Sequence, residues 1–179
     1  MIKLLDNVCR EIARNGCKKI ILLNAHGGNL GLVALYTMLQ LYTPKDYVVS
    51  IVSPFGAIGE LQQPWPRADD GHAGPGETSL MLALRPDLVD MSKIPADDEG
   101  KARGRLQALR AAGVQIGIWW YADHPTYYVG NAAHGTAEAG ERILDAIAQS
   151  IARAVRAIKA DTAAKQPQHE FFAAAQAPS

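Results

Sequence analysis

Three consecutive segments constrain this chain more than any other feature: the run Lys18-Lys19-Ile20-Ile21-Leu22-Leu23, the hexapeptide Asn24-Ala25-His26-Gly27-Gly28-Asn29, and the stretch from Leu30 to Tyr42. Residues 18–23 are a short apolar run bounded by polar residues, the pattern of a buried strand, whereas in 30–42 the apolar residues recur at helical spacing. The hexapeptide is therefore a strand-to-helix turn. Two glycines allow positive φ and close approach of the backbone to a ligand, and the amides opening the next helix favour negative charge in the same space. His26, at the carboxyl end of a strand, stands where open α/β sheets place their ligands.

The flanking segments extend this unit. Ile2, Leu4, Leu5, Val8 and Ile12 form an apolar stripe that predicts a helix from the first residues, with Asn15-Gly16 as its stop. Tyr47 to Val52 reads as a second strand after the punctuation of Pro44 and Asp46, which makes a βαβ crossover with parallel strands. Gln115 to Tyr121 is a third strand candidate. From Thr136 onward Ile143, Leu144, Ile147, Ile151, Val155 and Ile158 repeat at three- and four-residue spacing, so a long amphipathic helix closes the fold. Beyond about Asp161 the composition turns to Ala, Gln and Pro, which predicts a frayed tail over 161–179 behind a single α/β domain over 1–160.

A chain of 179 residues that is 48% hydrophobic can bury one real core. Lys plus Arg and Asp plus Glu number 18 each, so no global field draws the chain to nucleic acid or an anionic membrane. Cys9 and Cys17 make neither a disulfide framework nor a four-ligand zinc site. With no apolar span of membrane length and no signal-peptide pattern, the expected location is the cytoplasm.

The chemistry concentrates in Ser53 to Gly76, a long segment rich in Pro and Gly that carries Trp65, Asp69, Asp70 and His72, and in Glu77-Thr78-Ser79, which opens a short helix stopped by Pro86. Asp70 to Glu77 places two carboxylates and an imidazole within eight residues. Together with His26 they form an oxygen and nitrogen donor set suited to Zn²⁺, Mn²⁺ or Fe²⁺, and a metal with an open position brings the pKa of bound water toward about 7. His72 is the candidate general acid or base, since imidazoles titrate near neutral pH. Asp70 and Glu77 are also residue types that cap turns and helix starts. Lys101, Arg103, Arg105 and Arg110 read as a solvated helix face, His124 and His134 as satisfied loop histidines, and at least one of the adjacent Trp119 and Trp120 as core. Against a serine hydrolase built on His26-Gly27-Gly28 stands the fact that none of the serines lies in a Gly-x-Ser-x-Gly elbow.

Asn24-Ala25-His26-Gly27-Gly28-Asn29 resembles the Asn-Gly-His-Gly-Gly-Asn signature of the creatininase family. Asp70-Gly71-His72-Ala73-Gly74 with Glu77-Thr78-Ser79 resembles its second signature, and Gly130-Asn131-Ala132 followed by Thr136-Ala137-Glu138-Ala139-Gly140 resembles its third. The resemblance covers about residues 1–160 and implies a three-layer αβα fold with a mostly parallel sheet and a homo-oligomer, commonly a hexamer. It also implies a metal-dependent amidohydrolase acting on an amide or related C–N bond of a small molecule. Residue by residue, His26 matches a metal-binding histidine, Glu77 a metal-site or catalytic carboxylate, and His72 the catalytic histidine. Gly27, Gly28, Asn29, Asp70 and Trp65 are candidate substrate-binding positions, with the Gly27 and Gly28 amides holding a developing oxyanion.

Two departures qualify these implications. The creatininase that names the family has a ligand Glu two positions after the first histidine, where this chain has Gly28, and that argues against creatinine as substrate. Family members also open with a Glu-x-His-Gly-x-His-Leu-Pro segment and a following Asp that supply most of the ligands, whereas residues 1–179 contain no Glu-x-His or His-x-His. The expectation is thus an N-terminally shortened fold carrying part of a metal site. It is a product of a longer gene, a short form without the metal centre that binds small molecules or serves as an assembly subunit, or a chain completed by a partner. The catalytic reading requires His26 and Glu77 to converge on one pocket.

Overall fold

The computed structural model describes residues 1–59, 61–95 and 100–176. The described residues group into two compact units, one formed by Met1–Ile58 with Ile147–Ser179 and the other by Gly59–Ala146.

The first unit is built around the crossover expected from its periodicity. Helix α1 (Ile2–Arg14) ends at Asn15, and Gly16 turns the chain with φ 97°. Strand β1 (Lys19–Leu23) leads through a 3-10 turn into α2 (Leu30–Leu39), which stops three residues earlier than its apolar spacing suggests. Strand β2 (Val48–Val52) pairs parallel with β1, Lys19 opposite Val48 and Leu23 opposite Val52. The core comprises Cys9, Ala13, Ile20, Tyr36 and Tyr47, with Ile2, Leu5, Leu22 and Val49 packed on it. Burial holds the Tyr36 hydroxyl well above the usual phenol range, aided by the Cys9 thiol beside it. The Lys19 ammonium donates to the Ile158 and Lys159 carbonyls at 2.8 and 2.9 Å, anchoring the end of α7 (Ala137–Ala160), whose last residues belong to this unit. A cation at a helix carboxyl end satisfies carbonyls that lack helical partners.

Among the described residues the sheet has two parallel strands, in keeping with the α/β class expected. Two expectations need correction here. Residues 165–176 are a helix, α8 (Lys165–Gln176), where a frayed tail was expected. Gln168 Nε2 donates to the Lys45 and Tyr47 carbonyls at 3.1 Å each, and Phe172 is buried, so side-chain docking outweighs the weak helical signal of the composition. Gln115 to Tyr121 is not a strand: it leads into α6 (Trp119–Asp123), preceded by α5 (Gln107–Ala111). A strand needs a ladder partner, and the two strands described pair with each other.

In the second unit α4 (Pro75–Leu84) packs close to the start of α7, where a Cβ at Gly140 would lie 1.9 Å from the Ser79 carbonyl oxygen. The Ser79 hydroxyl, fully buried, accepts the Thr136 amide at 3.0 Å, and Thr136 Oγ1 in turn accepts the Ala139 amide and caps α7. Of the basic cluster only Arg110 lies in a helix, so the four residues are not one helix face. No helix among the described residues is long and apolar enough to cross a membrane. A short helix, α3 (Phe55–Gly59), occupies part of the segment read as loop.

Candidate functional site

The first candidate segment sits at the carboxyl end of β1. The Asn24 amide donates to the Val52 carbonyl at 2.8 Å, extending the ladder one step, and His26 follows in extended conformation. Its Nδ1 accepts the Gly28 amide at 3.1 Å, so the imidazole caps the 3-10 turn Gly27–Asn29. Two expectations change. Neither Gly27 nor Gly28 has positive φ; a Cβ at Gly28 would press on the His26 ring at 3.1 Å. The Gly28 amide, already committed to His26, is not an oxyanion donor in this arrangement. Asn29 precedes α2 without a capping side-chain bond.

The second candidate segment, in the other unit, is wound onto the start of α4. Asp70 Oδ1 accepts the amides of Gly71 at 3.1 Å and Gly76 at 3.0 Å, so this carboxylate holds its own loop together. Glu77, in the first turn of α4, returns its Oε2 to the Ala73 amide at 2.8 Å and lies 3.8 Å from His72 Nδ1. Both acids therefore serve helix-start amides, where the helix dipole favours negative charge. Ala73, between them, has φ 55°, a left-handed conformation that non-glycine residues rarely adopt.

The third signature holds the second in place. Val129 donates its amide to the His72 carbonyl at 2.9 Å and Asn131 to the Asp69 carbonyl at 2.8 Å. Gly130 between them has φ 100°, and a Cβ there would lie 2.0 Å from the Asp69 oxygen. His134 Nδ1 stands 3.8 Å from Asp69 Oδ2, so this loop histidine has a carboxylate neighbour.

The sequence reads at least one of Trp119 and Trp120 as core and gives no sign that Trp120 lies beside His72. The His72 and Trp120 ring centroids are 6.0 Å apart at 86°, and Trp120 lies 5.0 Å from His124 and 5.3 Å from Trp119. Behind them Asp123, 2% exposed, pairs with the Arg110 guanidinium at 3.1 Å, while Arg110 also lies 4.8 Å above the Trp119 ring. The available signal was the density of Trp119-Trp120-Tyr121-Ala122-Asp123-His124, read as a strand and a loop. His124 is buried. Trp65 is buried as well, which places it in the packing of the second unit.

Among the described residues no group of three or more His, Cys, Asp or Glu side chains is placed to hold a metal ion. The chemistry of the individual donors agrees. With Nδ1 of His26 accepting a hydrogen bond, the neutral ring carries its proton on Nε2, which then donates rather than ligates. The described residues therefore do not fit a complete metal site by themselves. What they do bring side by side is an imidazole and a carboxylate, His72 Nδ1 lying 3.8 Å from Glu77 Oε2.

Comparison with known proteins gives this arrangement its context. A creatinine amidohydrolase of Pseudomonas putida is 33% identical over 101 residues, which are 50% of this chain and 39% of that protein. A manganese creatininase superposes with a TM-score of 0.66 at 27% identity, covering 87% of this chain and 62% of that one. A mutant creatininase complexed with creatine superposes with a TM-score of 0.63 at 26% identity, with the same two coverages. The chain thus spans less than two thirds of the length of these relatives. The family described as creatinine amidohydrolase, creatininase, matches residues 1–155, and with three signatures in order on an α/β fold shared with solved creatininases, the chain belongs to the creatininase family.

Proposed function

We propose that this chain carries the amidohydrolase chemistry of its family, hydrolysing an amide or related C–N bond of a small molecule. The observation that supports it most directly is the His72–Glu77 pair, 3.8 Å apart in the segment that corresponds to the second signature. In this reading His72 moves the proton between the attacking water and the leaving nitrogen, and Glu77 orients the imidazole and stabilises its protonated form. The backbone bond from Val129 to the His72 carbonyl fixes the main chain from which the ring is presented.

A divalent metal belongs to the proposal through the manganese relative, and His26 and Glu77 are each proposed as a ligand. The metal would supply the activated water, and His26 would have to release the Gly28 amide to ligate through Nε2. Asp70, Asn29 and Gly27 remain proposed substrate contacts, as does Trp65 if its surroundings open. We further propose a cytoplasmic homo-oligomer; Leu30, Leu35 and Met38 of α2 and its N-terminal boundary are 52%, 47% and 68% exposed, an apolar surface that a second copy would cover.

A second reading is a non-catalytic member that binds a small molecule or serves as an assembly subunit. It is favoured by the absence, among the described residues, of a three-donor cluster. The experiment that separates the two measures metal content and hydrolysis of a panel of small amides by the chain supplied with Mn²⁺ or Zn²⁺. Metal-supported turnover is the expected result. Weak metal uptake together with no turnover on any amide supports the second reading.

A further inference from the structure

Within the first unit a cleft of about 350 Å³ opens between the first two turns of α1 and the end of α2 with the turn that follows it. That volume accommodates a small molecule. Ile2, Leu39 and the buried Tyr36 give the cleft apolar walls, and three polar side chains line it as well. Gln40, 8% exposed, donates from Nε2 to the Tyr36 carbonyl at 3.3 Å, whereas its Oε1 has no hydrogen-bond partner among the described residues. A buried acceptor left without a donor is costly, so this oxygen marks a place where a donor belongs. Lys45, its side chain 15% exposed, donates from Nζ to Thr43 Oγ1 at 3.0 Å and stands 3.9 Å from Oδ1 of the half-buried Asp6. At that distance the two charges attract without sharing a hydrogen bond, so the carboxylate keeps acceptor positions and the ammonium keeps N–H groups to give.

We infer that this cleft binds a free α-amino acid with an aliphatic side chain. A ligand with a negative charge alone would be repelled by Asp6, and one with a positive charge alone by Lys45. A zwitterion suits both: its ammonium donates to Asp6 and to Gln40 Oε1, and its carboxylate accepts from Lys45. The charges then alternate around a closed ring, with ligand contacts of roughly 2.8 Å and the Asp6–Lys45 side left at 3.9 Å. The aliphatic side chain lies against Ile2 and Leu39, where its burial from water adds to the binding. At the rim stand Lys3 and Asn7, both exposed, and the Asn7 side-chain oxygen is already taken by the Arg10 guanidinium. The inference draws on none of the residues proposed for hydrolysis.

Titration of the full chain with L-leucine, followed in NMR spectra by the side-chain amide of Gln40 and the backbone amides of Asp6 and Lys45, tests the assignment without any turnover. Saturable shifts are expected with L-leucine. Leucinamide, which lacks the carboxylate, and isocaproate, which lacks the ammonium, are each expected to bind about tenfold more weakly, the weight of one hydrogen bond to a charged group. Asp6→Asn is expected to weaken L-leucine by a similar factor without weakening isocaproate, and Lys45→Met to do so without weakening leucinamide. Shifts that do not saturate with L-leucine overturn the inference. So does equal affinity for the three compounds, which needs no variant, or an unchanged L-leucine affinity in folded Asp6→Asn and Lys45→Met. A chain that binds L-leucine in this way and hydrolyses no amide would keep this inference and lose the proposed function.

Discussion

Glu77 Oε2 accepts the Ala73 amide at 2.8 Å while standing 3.8 Å from His72 Nδ1, so one carboxylate both caps α4 and faces the candidate acid–base group. The two duties can be separated by substitution. Glu77→Ala removes the cap and is expected to cost about 1 kcal/mol of unfolding free energy in a denaturant titration. Glu77→Gln keeps an oxygen able to accept the Ala73 amide and is expected to restore most of that stability without restoring hydrolysis. If Glu77→Gln hydrolyses amides as fast as the wild type, the carboxylate is a cap alone.

Asp70 is expected to matter for stability. Its Oδ1 receives two backbone amides, from Gly71 and Gly76, and bonds to a charged acceptor are the stronger kind. Asp70→Ala should lower the unfolding free energy by about 2 kcal/mol. Equilibrium urea unfolding checks it, and a change within error would mean that the loop closes without this carboxylate.

His26 and Gly28 make a local prediction of their own. A methyl group at position 28 would approach the imidazole at 3.1 Å, so Gly28→Ala should displace the ring and break the bond between the Gly28 amide and Nδ1. In nitrogen NMR spectra the wild-type His26 is expected to show the Nε2-protonated tautomer and the variant a mixture. An unchanged tautomer in Gly28→Ala would show that the turn does not select it.

The first unit carries an alkaline limit. Burial, then the neighbouring Cys9, raises the Tyr36 phenol, and burial raises that of Tyr47. A group whose folded pKa exceeds its unfolded value contributes stability that is complete below the unfolded pKa, about 10 for tyrosine. That stability is lost as pH rises from there through the folded value. Thermal unfolding between neutral pH and strongly alkaline solution should therefore show a steep loss above about pH 10. Tyr36→Phe is expected to make the loss shallower, and identical pH profiles would remove the phenol from the account.

The crossover was legible because it is written in local terms. Lys18 to Leu23 and Tyr47 to Val52 are apolar runs with polar borders, and Asn15-Gly16 is a stop whose glycine does take φ 97°. The proximity of His72 to Glu77 was legible too, because only four residues of loop and helix start separate them. What could not be read is set by contacts between distant segments. Gln115 to Tyr121 has the composition of a strand, yet among the described residues no strand pairs with it, and Trp119 and Trp120 serve instead as ring partners for Arg110, His124 and His72. Residues 165–176 look featureless until Gln168 reaches the Lys45 and Tyr47 carbonyls. The hydrogen bond that His26 Nδ1 accepts comes from a backbone amide two residues on, which no motif encodes.

The central claim is that His72 performs proton transfer in the hydrolysis of a small amide. Its most direct test is the rate of amide hydrolysis by the wild-type chain and by His72→Gln, both supplied with the same divalent metal. Removal of an acid–base group typically costs roughly 10²–10⁴-fold, and a loss of kcat in that range with unchanged folding is the predicted result. Equal turnover by the two proteins would contradict the claim.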